Sequence, residues 1–182
     1  EGFFPEGVKV NIFSRDNYAF HQPELSGRIG DHGFYTTTVF ADYLTIQVII
    51  PLSSLKERLY FTIPKIVHVH HRPPAEAPNA TCYEDVNCSY ANSYVNIGVL
   101  KSAVAQIGFV VGGGYGICSG SLLNDIRATD NQPFFLTAAH CFNTQASAAS
   151  LEAKFDYYST SCNGPTNTNY ILVNGANLLA TN

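Results

Sequence analysis

The chain is short of charge and has no long apolar run. Charged residues make up 13% of its 182 positions, against about a quarter in an ordinary globular domain. Hydrophobic residues make up 46%, which is too many for a disordered chain. No run approaches the roughly 18 consecutive apolar residues of a membrane helix. These features predict a soluble, globular, β-rich protein and no membrane partner.

Basic clusters and methionine are also missing. The net charge is -4 at pH 7, and no Lys/Arg cluster could neutralise a phosphate track, so we expect no nucleic-acid partner. Methionine is absent even from position 1, and no basic-then-apolar secretory leader begins the chain. The chain opens on EGFFPEGVKV and stops at LLATN. We therefore expect it to be a fragment of a longer polypeptide.

Two regions differ in composition. The five cysteines all lie after residue 80, whereas five of the six histidines lie before residue 72. Between them, HRPPAEAPNAT (71–81) contains three prolines, which favour an extended, exposed linker. The sequence predicts a boundary near residue 75, with one region at 1–74 and a second at 75–182.

Apolar alternation predicts β-strands in both regions. In TVFADYLTIQVIIPL, apolar side chains recur at every second position from Leu44 to Ile50, and Pro51 ends the run. LYFTIPKIVHVHH (59–71) is a second β-rich run, which Pro64 interrupts, so we expect an edge strand.

Turn residues divide the second region. AVAQIGFVV and YGICSGSLL flank Gly112 to Gly114, which indicates a hairpin. LEAKFDYY alternates again, with Leu151, Ala153, Phe155 and Tyr157 on one face. No stretch after residue 90 shows a helical period with caps. Short strands with glycine-rich turns predict an antiparallel barrel or sandwich.

The cysteines indicate disulfide bonds in an oxidising compartment. Five cysteines within about 80 residues, none in a C-x-x-C pair, are typical of disulfides. A zinc site is the alternative, but it would need four ligands at close spacing, which the gap from Cys82 to Cys88 suits poorly. The odd count leaves one thiol for an intermolecular bond, a reactive role, or a partner outside the chain.

The stretch FFLTAAHCFN (134–143) carries a family resemblance. LTAAHC (136–141) resembles the histidine motif of the chymotrypsin-like serine peptidases, and CSGSLLN (118–124) is similar to the strand before it. The chain is closer still to the bacterial lysyl endopeptidases and their secreted relatives, through TCYEDVNC (81–88) and FDYYSTSC (155–162). The resemblance is strong over about residues 80–180, whereas residues 1–74 resemble the end of that group's pro-region more loosely.

The resemblance implies a fold and a set of disulfides. It implies an all-β chain, in which residues 75–182 form the N-terminal antiparallel β-barrel half of a chymotrypsin-like double barrel. Residues 1–74 would then be the β-rich C-terminal part of a pro-region. It pairs Cys118 with Cys141 and Cys88 with Cys162, and leaves Cys82 for a cysteine beyond residue 182.

The resemblance also implies a catalytic role for His140. In this family a histidine takes the proton of a serine hydroxyl and returns it to the leaving amine, while an aspartate orients the ring. Three carboxylates could be considered as the orienting group and two serines as the nucleophile, namely Asp125, Asp130, Asp156, Ser119 and Ser121. The resemblance places the true aspartate and serine beyond this chain, and Ser119 and Ser121 in a structural strand.

The function implied is that of a secreted serine endopeptidase made as a zymogen. It would need no metal or cofactor, would act on proteins or peptides, and would be inactive without its missing C-terminal half. One alternative is a non-catalytic peptidase-like binding or adhesion module. A weaker one is a metal-binding β-domain that uses His68 and His70 of HVHH, which share one face of a strand.

Overall fold

The chain forms two compact units, Glu1–His68 and Val69–Asn182. The computed structural model describes residues 2–14, 24–29, 34–69, 85–90, 93–126 and 132–181. The predicted boundary near residue 75 lies outside these described residues, as do His70, Cys82 and Asp130. No helix in the described ranges is long and apolar enough to cross a bilayer.

The first unit is an antiparallel sheet arranged around one long strand. Its strands are β1 (Gly2–Phe13), β2 (Glu24–Ile29), β3 (Thr45–Ile49) and β4 (Tyr60–Phe61). β1 pairs with each of the other three. Phe4, Val8, Val10 and Ile12 of β1 are buried and form the core of this unit. The ring of Phe4 stacks on that of Phe61 at a centroid distance of 5.5 Å.

The two strands predicted for this unit are found, but in reduced form. The run from Leu44 to Ile50 gives β3, in which Val48 packs on the core while Ile46 is 37% exposed. β3 lies at one edge of the described sheet, next to β1. In LYFTIPKIVHVHH the strand is limited to Tyr60–Phe61, since Pro64 has no N–H to donate to a ladder.

The second unit is an antiparallel sheet of five strands. They are β5 (Val104–Val111), β6 (Gly114–Leu122), β7 (Phe135–Thr137), β8 (Glu152–Phe155) and β9 (Ile171–Asn174). Their spatial order is β7-β6-β5-β8-β9, and each neighbouring pair is antiparallel. Two antiparallel sheets and few helices confirm the all-β class. Closure of the second sheet into a barrel stays a prediction.

The hairpin between β5 and β6 is confirmed. It turns at Gly112 and Gly113, whose φ angles are 57° and 87°. Positive φ at both central residues is the signature of the type I′ turn, whose twist matches that of the flanking strands. Glycine adopts this conformation without the steric cost that a Cβ brings.

One face of this sheet buries the core of the second unit. Ala105, Ile107 and Phe109 of β5 pack with Ala153 and Phe155 of β8. On β6 the residues opposite Ala105, Ile107 and Phe109 are Gly120, Cys118 and Gly116. A Cβ on Gly120 would lie 2.6 Å from the carbonyl oxygen of Leu136 and would also clash with the Phe135 ring. Full burial of each large apolar side chain stabilises the fold by about 1.5–3 kcal/mol.

The alternation predicted for LEAKFDYY holds on this face within β8 but fails on the other. Tyr157, predicted for the same face, lies beyond the end of β8 and is half-buried. Leu151, Ala153 and Phe155 are buried as expected, yet Glu152 between them is only 4% exposed. Its carboxylate accepts a hydrogen bond of 2.9 Å from the Tyr115 hydroxyl. A buried carboxylate needs such a partner because desolvation of an unpaired charge is costly.

Two short helices lie after residue 90, where the sequence shows no helical period with caps. These are α1 (Ile97–Ala103) and α2 (Gln145–Ala149). With seven and five residues, neither is long enough to show a helical period. α2 nonetheless has a cap, since the backbone N–H of Ser147 donates to the Thr144 hydroxyl at 3.3 Å.

Candidate active site around His140

The backbone that leads into His140 is held by β6. In the register of the two strands Thr137 of β7 lies opposite Gly120. The hydroxyl of Thr137 donates a hydrogen bond of 2.9 Å to the carbonyl oxygen of Ser119. After β7 the chain turns, and the N–H of Cys141 donates to the carbonyl oxygen of Ala138 at 3.0 Å. His140 therefore sits in a tight turn at the end of a paired strand.

The residues that follow His140 are anchored in the core. Cys141 is 6% exposed and forms a disulfide with Cys118, with 6.3 Å between the two Cα atoms. Phe142 packs edge-on against Phe109 at 5.0 Å between ring centroids. His140 itself is exposed. A solvent-accessible imidazole on an anchored turn does not contribute to core packing, which disfavours a purely structural histidine.

The imidazole lies beside the disulfide. The nearest ring nitrogen of His140 and the sulfurs of Cys118 and Cys141 lie within 4.8 Å of one another. Two cysteines and a histidine could form part of a metal site, but zinc binds thiolate sulfur. The two sulfurs are bonded to each other, so they have no thiolate to offer. This group is a disulfide beside a histidine rather than a metal centre.

The candidate carboxylates do not meet the histidine. Among the described residues, no Asp or Glu joins the cluster that the His140 ring forms with the sulfurs of Cys118 and Cys141. Asp156 lies in the turn after β8 with a φ angle of 58°, and its backbone carbonyl accepts from the Asn167 side chain at 3.1 Å. Asp125 is partly buried in the loop after β6. Asp130 falls outside the described residues.

The two candidate serines lie on the wrong face of the sheet. Side chains alternate between faces along a strand, so Ser119 and Ser121 of β6 point away from the face that Cys118 shares with the core. Ser119 is exposed and Ser121 partly buried. Their hydroxyls are therefore on the side opposite to the disulfide beside His140, which fits a structural role for this strand.

A second disulfide joins Cys88 to Cys162, with 4.4 Å between their Cα atoms. Both disulfides fit the pairing that the resemblance implies. Asn87, next to Cys88, is held as well: its amide donates to the carbonyl oxygen of Ser159 and its oxygen accepts from Lys101 at 2.9 Å. The segment around Cys88 is thus fixed to the loop around Cys162.

Peptide mapping under non-reducing conditions tests these pairs. We expect fragments linked through Cys118–Cys141 and Cys88–Cys162, and free Cys82 in the 182-residue chain. A bridge between Cys82 and Cys88 would contradict the pairing, because it would leave Cys162 without its partner.

The alternative metal site in HVHH gains no support from the described residues. His68 is exposed and belongs to no strand. His70 lies outside the described residues, so the pair cannot be placed on one face.

Comparison with known proteins gives a family for the second unit. The profile of the family described as "Lysyl endopeptidase, C-terminal domain" matches residues 78–182. A curated lysyl endopeptidase from Pseudomonas aeruginosa is 28% identical over 193 aligned positions, which cover 98% of this chain and 41% of that protein. The chain thus spans about two fifths of the length of this relative. No solved structure gives a significant match. With the matched residues including LTAAHC and all four bridged cysteines, the chain belongs to the lysyl endopeptidase C-terminal domain family.

Proposed function

We propose that this chain is the part of a secreted serine endopeptidase that contributes the general base, His140. The observation that carries the proposal is the exposed imidazole beside the Cys118–Cys141 disulfide, in a chain that belongs to a peptidase family. Both disulfides are compatible with the oxidising compartment that a secreted protein meets. Residues 1–74 would act as the end of a pro-region that assists folding or blocks the site until cleavage.

The proposed chemistry is a proton relay at the ring of His140. One ring nitrogen accepts the proton of a serine hydroxyl as that oxygen attacks the substrate carbonyl, and the same nitrogen then protonates the leaving amine. An imidazole suits this role because it both accepts and donates a proton near neutral pH. An aspartate holds the ring in the required tautomer, and backbone N–H groups stabilise the oxyanion.

The surroundings of His140 suit a base that must be held in place. Catalytic efficiency falls steeply when a reacting group is misplaced by about 1 Å. The hydrogen bond of Thr137 before the ring and the buried Cys141 and Phe142 after it restrict the backbone on both sides. The imidazole stays open to a substrate because no described core residue covers it.

The serine and the aspartate are proposed to lie in other parts of the polypeptide. The positions of Ser119 and Ser121 on the opposite face support this, as does the cluster at His140, which no described Asp or Glu joins. The relative from Pseudomonas aeruginosa is more than twice as long as its matched part, which leaves room for both groups.

The 182-residue chain alone is therefore expected to show no peptide hydrolysis, whereas the complete protein cleaves peptides. The measurement is turnover of a mixed set of fluorogenic peptides by both forms at equal concentration. Hydrolysis by the chain alone that disappears in the His140→Ala variant would place the nucleophile inside residues 1–182. A complete protein that binds peptides without cleaving them would instead establish the non-catalytic binding module.

A further inference from the structure

A groove on the second unit does not have His140 among its described lining residues, although it shares Cys118 with the candidate active site. It has a volume of about 490 Å³ and lies over the outer face of β5 and β6, between helix α1 and the segment after β8. Leu100, Val104 and Ile117 provide much of its apolar wall, and Tyr157 and Tyr158 its aromatic side.

The groove contains one charged group among its described lining residues, the ammonium of Lys101. That ammonium donates to the side-chain oxygen of Asn87 at 2.9 Å and lies 4.6 Å from the centroid of the Tyr158 ring. An ammonium has three N–H donors, so the bond to Asn87 leaves donors for a further oxygen. Lys101 is thus a positioned cation at an apolar surface.

The walls of the groove are tied together. The Cys88–Cys162 disulfide and the bond from Asn87 to the carbonyl oxygen of Ser159 join the segment beside Lys101 to the loop after Tyr158. A site whose walls are held in this way loses little conformational entropy when a ligand binds.

We propose that this groove binds a small amphipathic monocarboxylate, with the carboxylate on Lys101 and the apolar body against Val104 and Ile117. Both of these side chains are 49% exposed, so a bound apolar chain would remove substantial apolar surface from water. A single cation in the wall of an apolar groove matches a ligand with one anionic end. This site is independent of the serine peptidase activity proposed above.

The test compares octanoate with octanol, which has the same length but no charge. Titration of the 182-residue chain, followed by amide NMR shifts and calorimetry, is expected to place octanoate at α1, β5 and β6. Lys101→Gln should lower the affinity for octanoate about fivefold, the scale of a partly exposed ion pair, and leave the affinity for octanol unchanged. Lys101→Arg should keep octanoate affinity within about twofold of the wild type on the same scale.

Matched variants keep the result interpretable. Ile117→Asp, at an exposed strand position, should lower the affinity for both ligands about tenfold, since it puts a charge on the apolar wall. Lys56→Gln, an exposed lysine of the first unit, should change neither affinity. The proposal is overturned if octanoate causes no shifts in the groove, or if it binds folded Lys101→Gln as tightly as the wild type.

Discussion

Replacing His140 by alanine in the complete protein is expected to lower kcat by about four orders of magnitude or more. The variant loses the group that takes the serine proton, and triad members act as a unit, so the rest of the site cannot compensate. Folding should survive because the ring is exposed, and surface substitutions usually change stability by about 0.5 kcal/mol or less. Steady-state kinetics and circular dichroism of the same preparation measure both effects.

His68→Ala is the matched control for this experiment. His68 is also an exposed histidine, but it lies in the first unit, so kcat should stay at the wild-type value. Activity that persists in His140→Ala would remove His140 from the mechanism. Activity lost in His68→Ala and restored by zinc would favour the metal-binding alternative instead.

Removing the Cys88–Cys162 disulfide by replacing both residues with alanine is expected to destabilise the second unit by about 4 kcal/mol. The bond closes a loop with a sequence separation of 74 residues. A disulfide lowers the conformational entropy of the unfolded chain, and this effect grows with the length of the closed loop. For Cys118–Cys141, with a separation of 23, the same relation gives about 3 kcal/mol. Native-state hydrogen exchange at the amides of β5 and β8 reports the free energy of this unit by itself.

Ser161→Ala is the control for the disulfide experiment. Ser161 is exposed and next to Cys162. In the Ser161→Ala variant, the free energy of opening from hydrogen exchange should therefore change by no more than about 0.5 kcal/mol. A loss below about 1 kcal/mol in the double alanine variant would show that the bond does not restrain the unfolded chain as this account requires.

Local signals in the sequence were sufficient to predict part of the second unit. The hairpin follows from Gly112 and Gly113, because both central residues of its turn have positive φ, and the flanking runs have strand composition. The buried side of β8 follows from alternation of Leu151, Ala153 and Phe155. The disulfide pairs came from the family resemblance, since cysteine count and spacing alone leave the partners open.

Other features depend on contacts that no short pattern encodes. β1 contains Pro5 and Gly7, which weaken the strand signal in its sequence. It is nonetheless the strand with which the other strands of its sheet pair. Burial of Glu152 depends on Tyr115, 37 residues away. The groove beside Lys101 forms only when α1, β6 and the segment after β8 come together. Sequence spacing cannot place such groups.

The exposure of His140 also depends on the fold and could not be predicted from a short sequence pattern. The motif LTAAHC suggests a role, but only the fold shows that Cys141 and Phe142 turn into the core while the ring between the strand and the disulfide stays outside. The sequence motif places the orienting and nucleophilic groups elsewhere, and no described Asp or Glu joins the cluster of His140, Cys118 and Cys141.

Labelling of the complete protein with a fluorophosphonate is the most direct test of the claim that His140 activates a serine. We expect one label per molecule, on a serine outside residues 1–182, with a rate at least about a thousandfold lower in His140→Ala. Intact mass over time and peptide mapping give the rate and the position. Labelling of Ser119 or Ser121, or an equal rate in the variant, would contradict the account.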